Sequence, residues 1–226
     1  MRTYLTEFIG TFFLVLTIGL TVVQGVELAP LAIGASLMIM VYMGGHISGG
    51  HYNPAVSLAV FLRGKMKSAG ELGGYVVSQI LGAVVAALAV RAILGQTFAP
   101  ARGDGVSAAS ALLVEFLFTF ALALVVLNSA ASARTQGNSF YGLAIGFTIV
   151  VGAFAGGAIS GGAFNPAVGI GPALVHSTLG GGAIDDLWIH IVGPLLGGGA
   201  AAAVFGLQER PEVHLHAEPS RVPERQ

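Results

Sequence analysis

Cysteine is absent from this 226-residue chain and charge is scarce, with ten Lys and Arg and eleven Asp and Glu making up 9% of residues. An ordinary soluble domain carries about 25% charged residues. The lack of cysteine excludes a disulfide scaffold, thiol catalysis and Cys-ligated zinc, and leaves the compartment open. A formal net charge of −1 provides no basic excess to draw nucleic acid. Seven of the charged side chains crowd into the last 19 residues, so the preceding 207 could not cover a soluble surface. With 54% hydrophobic residues and a mean hydropathy of +0.82, the composition excludes a soluble enzyme, a nucleic-acid binder and a disordered chain. Glycine is abundant instead: 34 residues, about twice the usual ~7% share. In apolar sequence this indicates helices packed closely through small residues.

A membrane-spanning helix needs about 20 mostly apolar residues. Six stretches qualify: Tyr4–Val23, Leu28–Gly45, Gly73–Leu94, Ala108–Leu127, Phe140–Ala158 and Ala183–Leu207. The first begins like a signal peptide, with Arg2 ahead of an apolar run. Glu7 interrupts that run and no clear small-x-small cleavage site follows, so it reads as a membrane helix. Two further apolar stretches, Pro54–Leu62 and Pro166–Val175, are about half the length of a span. Nothing polar separates them from the preceding spans, so both are expected to dip back into the membrane. Irregular backbone at that depth is tolerated only where protein or water buries it, which suggests a water-filled path.

An even number of spans places both termini on one side, with Arg2, Arg63, Lys65, Lys67, Arg134, Arg210, Arg221 and Arg225; Arg91 and Arg102 fall on the other. The positive-inside rule makes the first side cytoplasmic. The polar tail, residues 208–226, reads as a disordered cytoplasmic extension. Its His214-x-His216 pair is read as solvated, not as a metal site.

Gly45–Val56 (GHISGGHYNPAV) and Gly157–Val168 (GAISGGAFNPAV) agree at nine of twelve positions at an offset of 112. Glu7-Phe8-x-x-Thr11-Phe12 matches Glu115-Phe116-x-x-Thr119-Phe120 at an offset of 108. The chain is therefore two copies of a three-span unit, repeat 1 over about residues 1–95 and repeat 2 over about 108–207, forming one domain over residues 1–207. An odd number of spans per copy forces opposite orientations, so the re-entrant segments meet near the midplane. Asn is a favoured helix N-cap and Pro a favoured first helical residue, so Asn53-Pro54-Ala55 and Asn165-Pro166-Ala167 each start a half-helix. Each N-terminus carries roughly +0.5 of an elementary charge. Two such ends at the bilayer centre oppose cations, while the Asn amides can donate to a neutral solute. The preceding ISGG segments are expected to be extended, exposing acceptor carbonyls at Gly49, Gly50, His51, Gly161 and Ala163.

The doubled NPA triplet, each copy following ISGG, together with the paired Glu-x-x-x-Thr segments and NPAVGIGPALV, resembles the major intrinsic protein family, the aquaporins and glycerol facilitators. The resemblance covers about residues 1–207 and implies an all-α, six-helix inverted-repeat fold with two re-entrant half-helices, one pore per subunit and a homotetramer. It also implies a four-residue outer filter, matched here by Ile33, Ala153, Gly162 and Val168. Typical aquaporins have an arginine directly after the second NPA and bulky aromatic or His residues at the first two filter positions. Here the set is aliphatic and uncharged, and is expected to be wide. Nor does Gly169 match the Asp of glycerol facilitators, and His190-Ile191 stands where water-selective members have an aromatic pair. Bacterial members with aliphatic filters include some associated with metalloid passage.

Glu7 and Glu115 read either as a proton relay or as acceptors bracing the re-entrant loops; their symmetric placement favours bracing, with Gln79 in support. His46, His176 and His190 read as loop, surface or packing residues, and Met38, Met40 and Met43 as pore or core packing, with Gly82 at a helix contact. The function expected is a passive channel for small uncharged solutes: water plus glycerol- or urea-sized solutes or metalloid hydroxides. It is expected to have no enzymatic chemistry, cofactor or metal and no nucleic-acid partner, and to lie among lipid in the plasma (cell inner) membrane. The alternatives are a channel mainly for water and, from another class, a proton-coupled transporter, which would need an ionisable residue at the midplane. A gated ion channel would need rings of charge that the sequence lacks.

Overall fold

The computed structural model describes residues 1–182 and 184–209. The tail beyond Glu209, with His214 and His216, lies outside the described residues. Within them the chain forms α1 (Arg2–Val23), α2 (Ala29–Ser48), α3 (Pro54–Leu62), α4 (Ala69–Leu94), α5 (Ala108–Val126), α6 (Tyr141–Ser160), α7 (Pro166–Val175) and α8 (Leu187–Gln208). Six of these helices are long and apolar enough to cross a membrane, and the two half-helices have the limits expected from sequence.

Local chemistry sets the boundaries. Asn53 and Asn165 cap α3 and α7 with Pro at the first helical position. The third span begins at Ala69, not Gly73, because Ser68 caps it by accepting from the Glu71 amide at 3.2 Å, while Glu71 accepts from the Lys67 amide at 2.6 Å. The sixth begins at Leu187, not Ala183, past Asp185-Asp186. The fourth does not stop at Leu127 but continues as a wide π-type turn, Leu127–Ala131. The expected extended ISGG segments need correction: Ile47-Ser48 and Ile159-Ser160 are the last turns of α2 and α6. The chain leaves helix only at the glycine pairs, where Gly49 and Gly161 (φ 88° and 91°) are followed by Gly50 and Gly162 (φ 64° and 65°). Two successive left-handed residues suit glycine, which has no Cβ to clash.

The repeats pack alike. α1 lies on α4 and α5 on α8, while α2 crosses α6 between them. A Cβ on Gly34 would lie 2.6 Å from the Gly146 carbonyl oxygen, and one on Gly146 would lie 2.5 Å from that of Gly34, so the crossing is at backbone contact. Gly82 of α4 abuts the Phe8 carbonyl as Gly197 of α8 abuts that of Phe116. Each half-helix packs on the last span of the other copy, α3 on α8 and α7 on α4, so neither copy closes its own core. Large apolar side chains such as Leu81, Leu117 and Phe147 stand exposed on the outer surface, as a lipid-facing surface requires.

Candidate functional site: a cavity between two half-helix ends

Glu7 and Glu115 are fully buried and surrounded by donors. Glu7 accepts from Ser48 Oγ (2.6 Å), His51 N (3.0 Å), Tyr52 N (2.7 Å) and Gln79 Nε2 (2.8 Å). Glu115 accepts from Ser160 Oγ (2.7 Å), Ala163 N (3.0 Å) and Phe164 N (2.6 Å). The two serines also accept from Gly50 N and Gly162 N, each at 3.1 Å. These bonds hold Tyr52 and Phe164 at φ 49° and 48°, a left-handed conformation costly for an aromatic residue. That turn aims the next residue, asparagine, inward.

The asparagines then reach across the repeat. Asn53 Oδ1 accepts from Ala55 N at 2.8 Å while its Nδ2 donates to the Phe164 carbonyl at 2.9 Å. Asn165 Oδ1 accepts from Ala167 N at 2.9 Å and its Nδ2 donates to the Tyr52 carbonyl at 2.8 Å. Each Nδ2 carries two hydrogens, so each amide retains one donor. The reciprocal pair locks the half-helix N-termini face to face, a link that no local sequence pattern reveals.

A cavity of about 550 Å³ runs from this centre to the face bearing residues 95–107; it is bordered by Ile33, Ala153, Gly162, Val168 and both asparagines. His51, Gly161 and Ala163 also border it, whereas Gly50 is buried and Gly49 borders the spaces on the opposite, Lys65-bearing side. His51 and Val126 border both the large cavity and a smaller one of about 230 Å³ toward Lys65, and so form the neck between them. The His51 ring is fixed by Ser57 Oγ at 3.1 Å and by Tyr75, with ring centroids 4.9 Å apart. His46 is exposed, and His176 Nδ1 meets Thr97 Oγ1 at 2.8 Å. Met38 packs at the Gly146 crossing and Met40 accepts the Tyr52 hydroxyl through its carbonyl, while Met43 is exposed.

The chain belongs to the major intrinsic protein family. That family's model matches residues 1–205. The chain is 39% identical to glycerol uptake facilitator protein-like 6 of Lactiplantibacillus plantarum over 89% of its own length and 95% of the relative's. It is 35% identical to aquaporin NIP3-1 of Arabidopsis thaliana over 89% of its own length and 65% of the relative's. Its fold is similar to the X-ray structure of the aquaglyceroporin from Plasmodium falciparum, with a TM-score of 0.80, 23% identity, and coverage of 90% of this chain and 94% of that one. The fold is thus aquaporin-like, and the protein is a multi-pass membrane protein.

Two further residues emerge from the geometry. Tyr75 of α4 donates its hydroxyl to the Ser48 carbonyl at 2.6 Å, and His190 Nε2 of α8 meets the Ser160 carbonyl at 2.7 Å. A ring nitrogen facing a carbonyl must carry a proton, and Nδ1 of the buried His190 has no partner among the described residues. The two positions correspond at an offset of 115, the same offset that relates Gly82 to Gly197.

Replacing Asn165 with Asp keeps the cap to Ala167 but places a carboxylate against the Tyr52 carbonyl, removes the spare donor and adds negative charge between two helix N-termini. Asn165→Asp is expected to lower neutral-solute flux severalfold and to admit a cation leak. Paired solute-flux and ion-leak measurements on vesicles test this; flux equal to wild type in a folded variant removes Asn165 from the path.

Proposed function

We propose that this protein is a passive channel for small uncharged solutes, carrying water together with glycerol- or urea-sized solutes or metalloid hydroxides. The observation that carries this reading is the lining of the 550 Å³ cavity, which among the described residues includes no Asp, Glu, Lys or Arg and places four aliphatic or glycine filter candidates near two spare amide donors. A solute crossing it exchanges hydration for the Asn53 and Asn165 amides and for loop carbonyls, and the two helix ends repel cations. Glu7 and Glu115 serve as braces: each is held by donors from its re-entrant loop and the spans beside it. The names of the relatives, one a glycerol facilitator and one an aquaporin, support a channel and not an enzyme or a pump. The reading extends to a homotetramer in the plasma membrane, and the distribution of Lys and Arg supports cytoplasmic termini.

The experiment is stopped-flow permeability of proteoliposomes to water, glycerol, urea and arsenite, with and without an imposed proton gradient. The expected result is glycerol permeability at least about tenfold above protein-free vesicles, as a wide pore allows, and insensitive to the proton gradient. Passage of water alone overturns the wide-filter reading; dependence on the proton gradient overturns the channel.

A further inference from the structure

The half-helix α3 ends on the Lys65-bearing side in a glycine cap. Gly64 (φ 67°) follows Arg63; its amide donates to the Phe61 carbonyl at 2.8 Å, and the Lys65 amide donates to that of Val60 at 3.1 Å. This turn lays the Arg63 side chain on the last turns of α8. Its Cζ stands 5.8 Å from the centre of the buried Phe205 ring. A Cβ on Gly206 would lie 2.6 Å from Nη1, 3.1 Å from Cζ and 3.4 Å from Nη2, so the guanidinium rests on bare backbone. Arg63 Nε is buried without a hydrogen-bond partner, and no carboxylate pairs with Arg63 among the described residues. Glu209, three residues beyond Gly206, is engaged by Ser132 instead. A guanidinium carries five donors, and a partly desolvated charge without a counter-charge is costly. The contact with the Phe205 ring offsets only part of that cost.

The surroundings fit one class of counter-ion. Leu62 and Leu207, the chain neighbours of Arg63 and Gly206, are exposed apolar side chains, whereas Lys65 and Lys67 follow Arg63 with no acid between them. An apolar surface that ends at clustered cations matches a phospholipid, with its acyl chains along the first and its phosphate on the second. The arginine fork suits two oxygens of one phosphate. We propose that Arg63, assisted by Lys65, binds the headgroup phosphate of an anionic glycerophospholipid in the leaflet on that side. The site belongs to the first repeat alone: at the offset of 112, Arg63 corresponds to the buried Val175 and Lys65 to Ser177. Its effect reaches the cavity through α3, which has nine residues and so spans only about 13 Å. Asn53 caps the far end, where the Ala55 carbonyl abuts Gly198 of α8. A phosphate seated on Arg63 fastens the near end to the same helix. The lipid thereby holds the Asn53 amide in place, and Arg63 is a positioning residue.

Native mass spectrometry of the detergent-solubilised full chain counts bound lipid directly. Dioleoyl phosphatidylglycerol is expected to bind once per chain, at least about fivefold more tightly than dioleoyl phosphatidylcholine, since each nearby cation favours the anionic headgroup. Arg63→Gln should weaken phosphatidylglycerol binding by at least about tenfold, the loss that follows removal of a charge-assisted fork. Arg63→Lys keeps the charge without the fork and should weaken it by a smaller factor. Arg134→Gln, which removes an exposed charge from the same side, is the control and should bind as wild type does. Wild-type affinity in Arg63→Gln, or in Arg63→Lys if the glutamine variant does not assemble, overturns the site. Equal affinity of wild type for the two lipids overturns the anionic headgroup, and displacement of phosphatidylglycerol by millimolar inorganic phosphate shows a free-anion site in place of a lipid one. None of these counts depends on what the cavity conducts. In vesicles, adding phosphatidylglycerol to phosphatidylcholine should raise wild-type water permeability severalfold and leave Arg63→Gln unresponsive; an equal response in both overturns the link from Arg63 to Asn53.

Discussion

Val168→Arg is expected to lower glycerol permeability by at least about tenfold while changing water permeability by less than about threefold, because a filter that admits one molecule at a time selects by diameter and by the donors it presents. Val168 is 3% exposed and borders the cavity together with Ala153 and Gly162, neither of which carries bulk. The guanidinium would enter that space from the first turn of α7, a position fixed by the Asn165 cap. It would bring five N–H donors that water can exploit and a volume that glycerol cannot pass. Val168→Leu separates the two effects: it adds bulk without donors and should lower both permeabilities, with a smaller change in their ratio. The measurement is paired permeability at matched protein density. A glycerol-to-water ratio unchanged in folded Val168→Arg shows that Val168 does not stand at the constriction.

The parts of this architecture that could be read in the sequence were local ones. Asn-Pro starts α3 and α7 because a side-chain cap and a fixed φ act within three residues, so the half-helix limits agree at both ends. The glycine pairs after Ile-Ser were visible, but the helical state of Ile47-Ser48 and Ile159-Ser160 was not: each serine adds a carboxylate bond to its helical one, and that carboxylate lies more than forty residues away. The reciprocal Asn-to-carbonyl bonds span 111 and 113 residues and depend on the copies being inverted. The equivalence of Tyr75 and His190 was hidden because the repeat offset drifts from 108 through 112 to 115 along the chain.

That drift also exposes how the two copies differ around their shared carboxylate. At an offset of 115, Gln79 corresponds to Pro194, and at 112, His51 and Ser57 correspond to Ala163 and Gly169. The first copy links His51, Ser57, Gln79 and Glu7 in one chain of hydrogen bonds. The second has no such chain: a Cβ on Gly169 would lie 2.7 Å from that of His190, so α7 and α8 meet by close packing instead. The neck beside His51 is therefore the polar end of the pathway and the Val168 end the apolar one.

This asymmetry makes the two Glu→Gln variants unequal. A glutamine must turn its NH2 toward one of the sites now occupied by donors. In Glu115→Gln the best choice sets the NH2 against Phe164 N, which cannot reverse, and Pro194, at the position equivalent to Gln79, offers no amide to adjust. In Glu7→Gln the same conflict arises at Tyr52 N, but Gln79 stands at that oxygen too, and its Oε1 has no partner. A flip of the Gln79 amide turns that oxygen toward the new NH2. Leaving one buried donor unpaired costs about 1–3 kcal/mol, so both variants should unfold at lower temperature than wild type, Glu115→Gln more so. The alanine variants strand every donor and should fall below the limit for assembly. In Glu7→Gln that folds, glycerol flux should remain insensitive to an imposed proton gradient, since a brace carries no proton. Adding Gln79→Leu to Glu7→Gln removes the flip and should bring its thermal midpoint down to that of Glu115→Gln; equal midpoints for the two single variants would show that Gln79 makes no such adjustment.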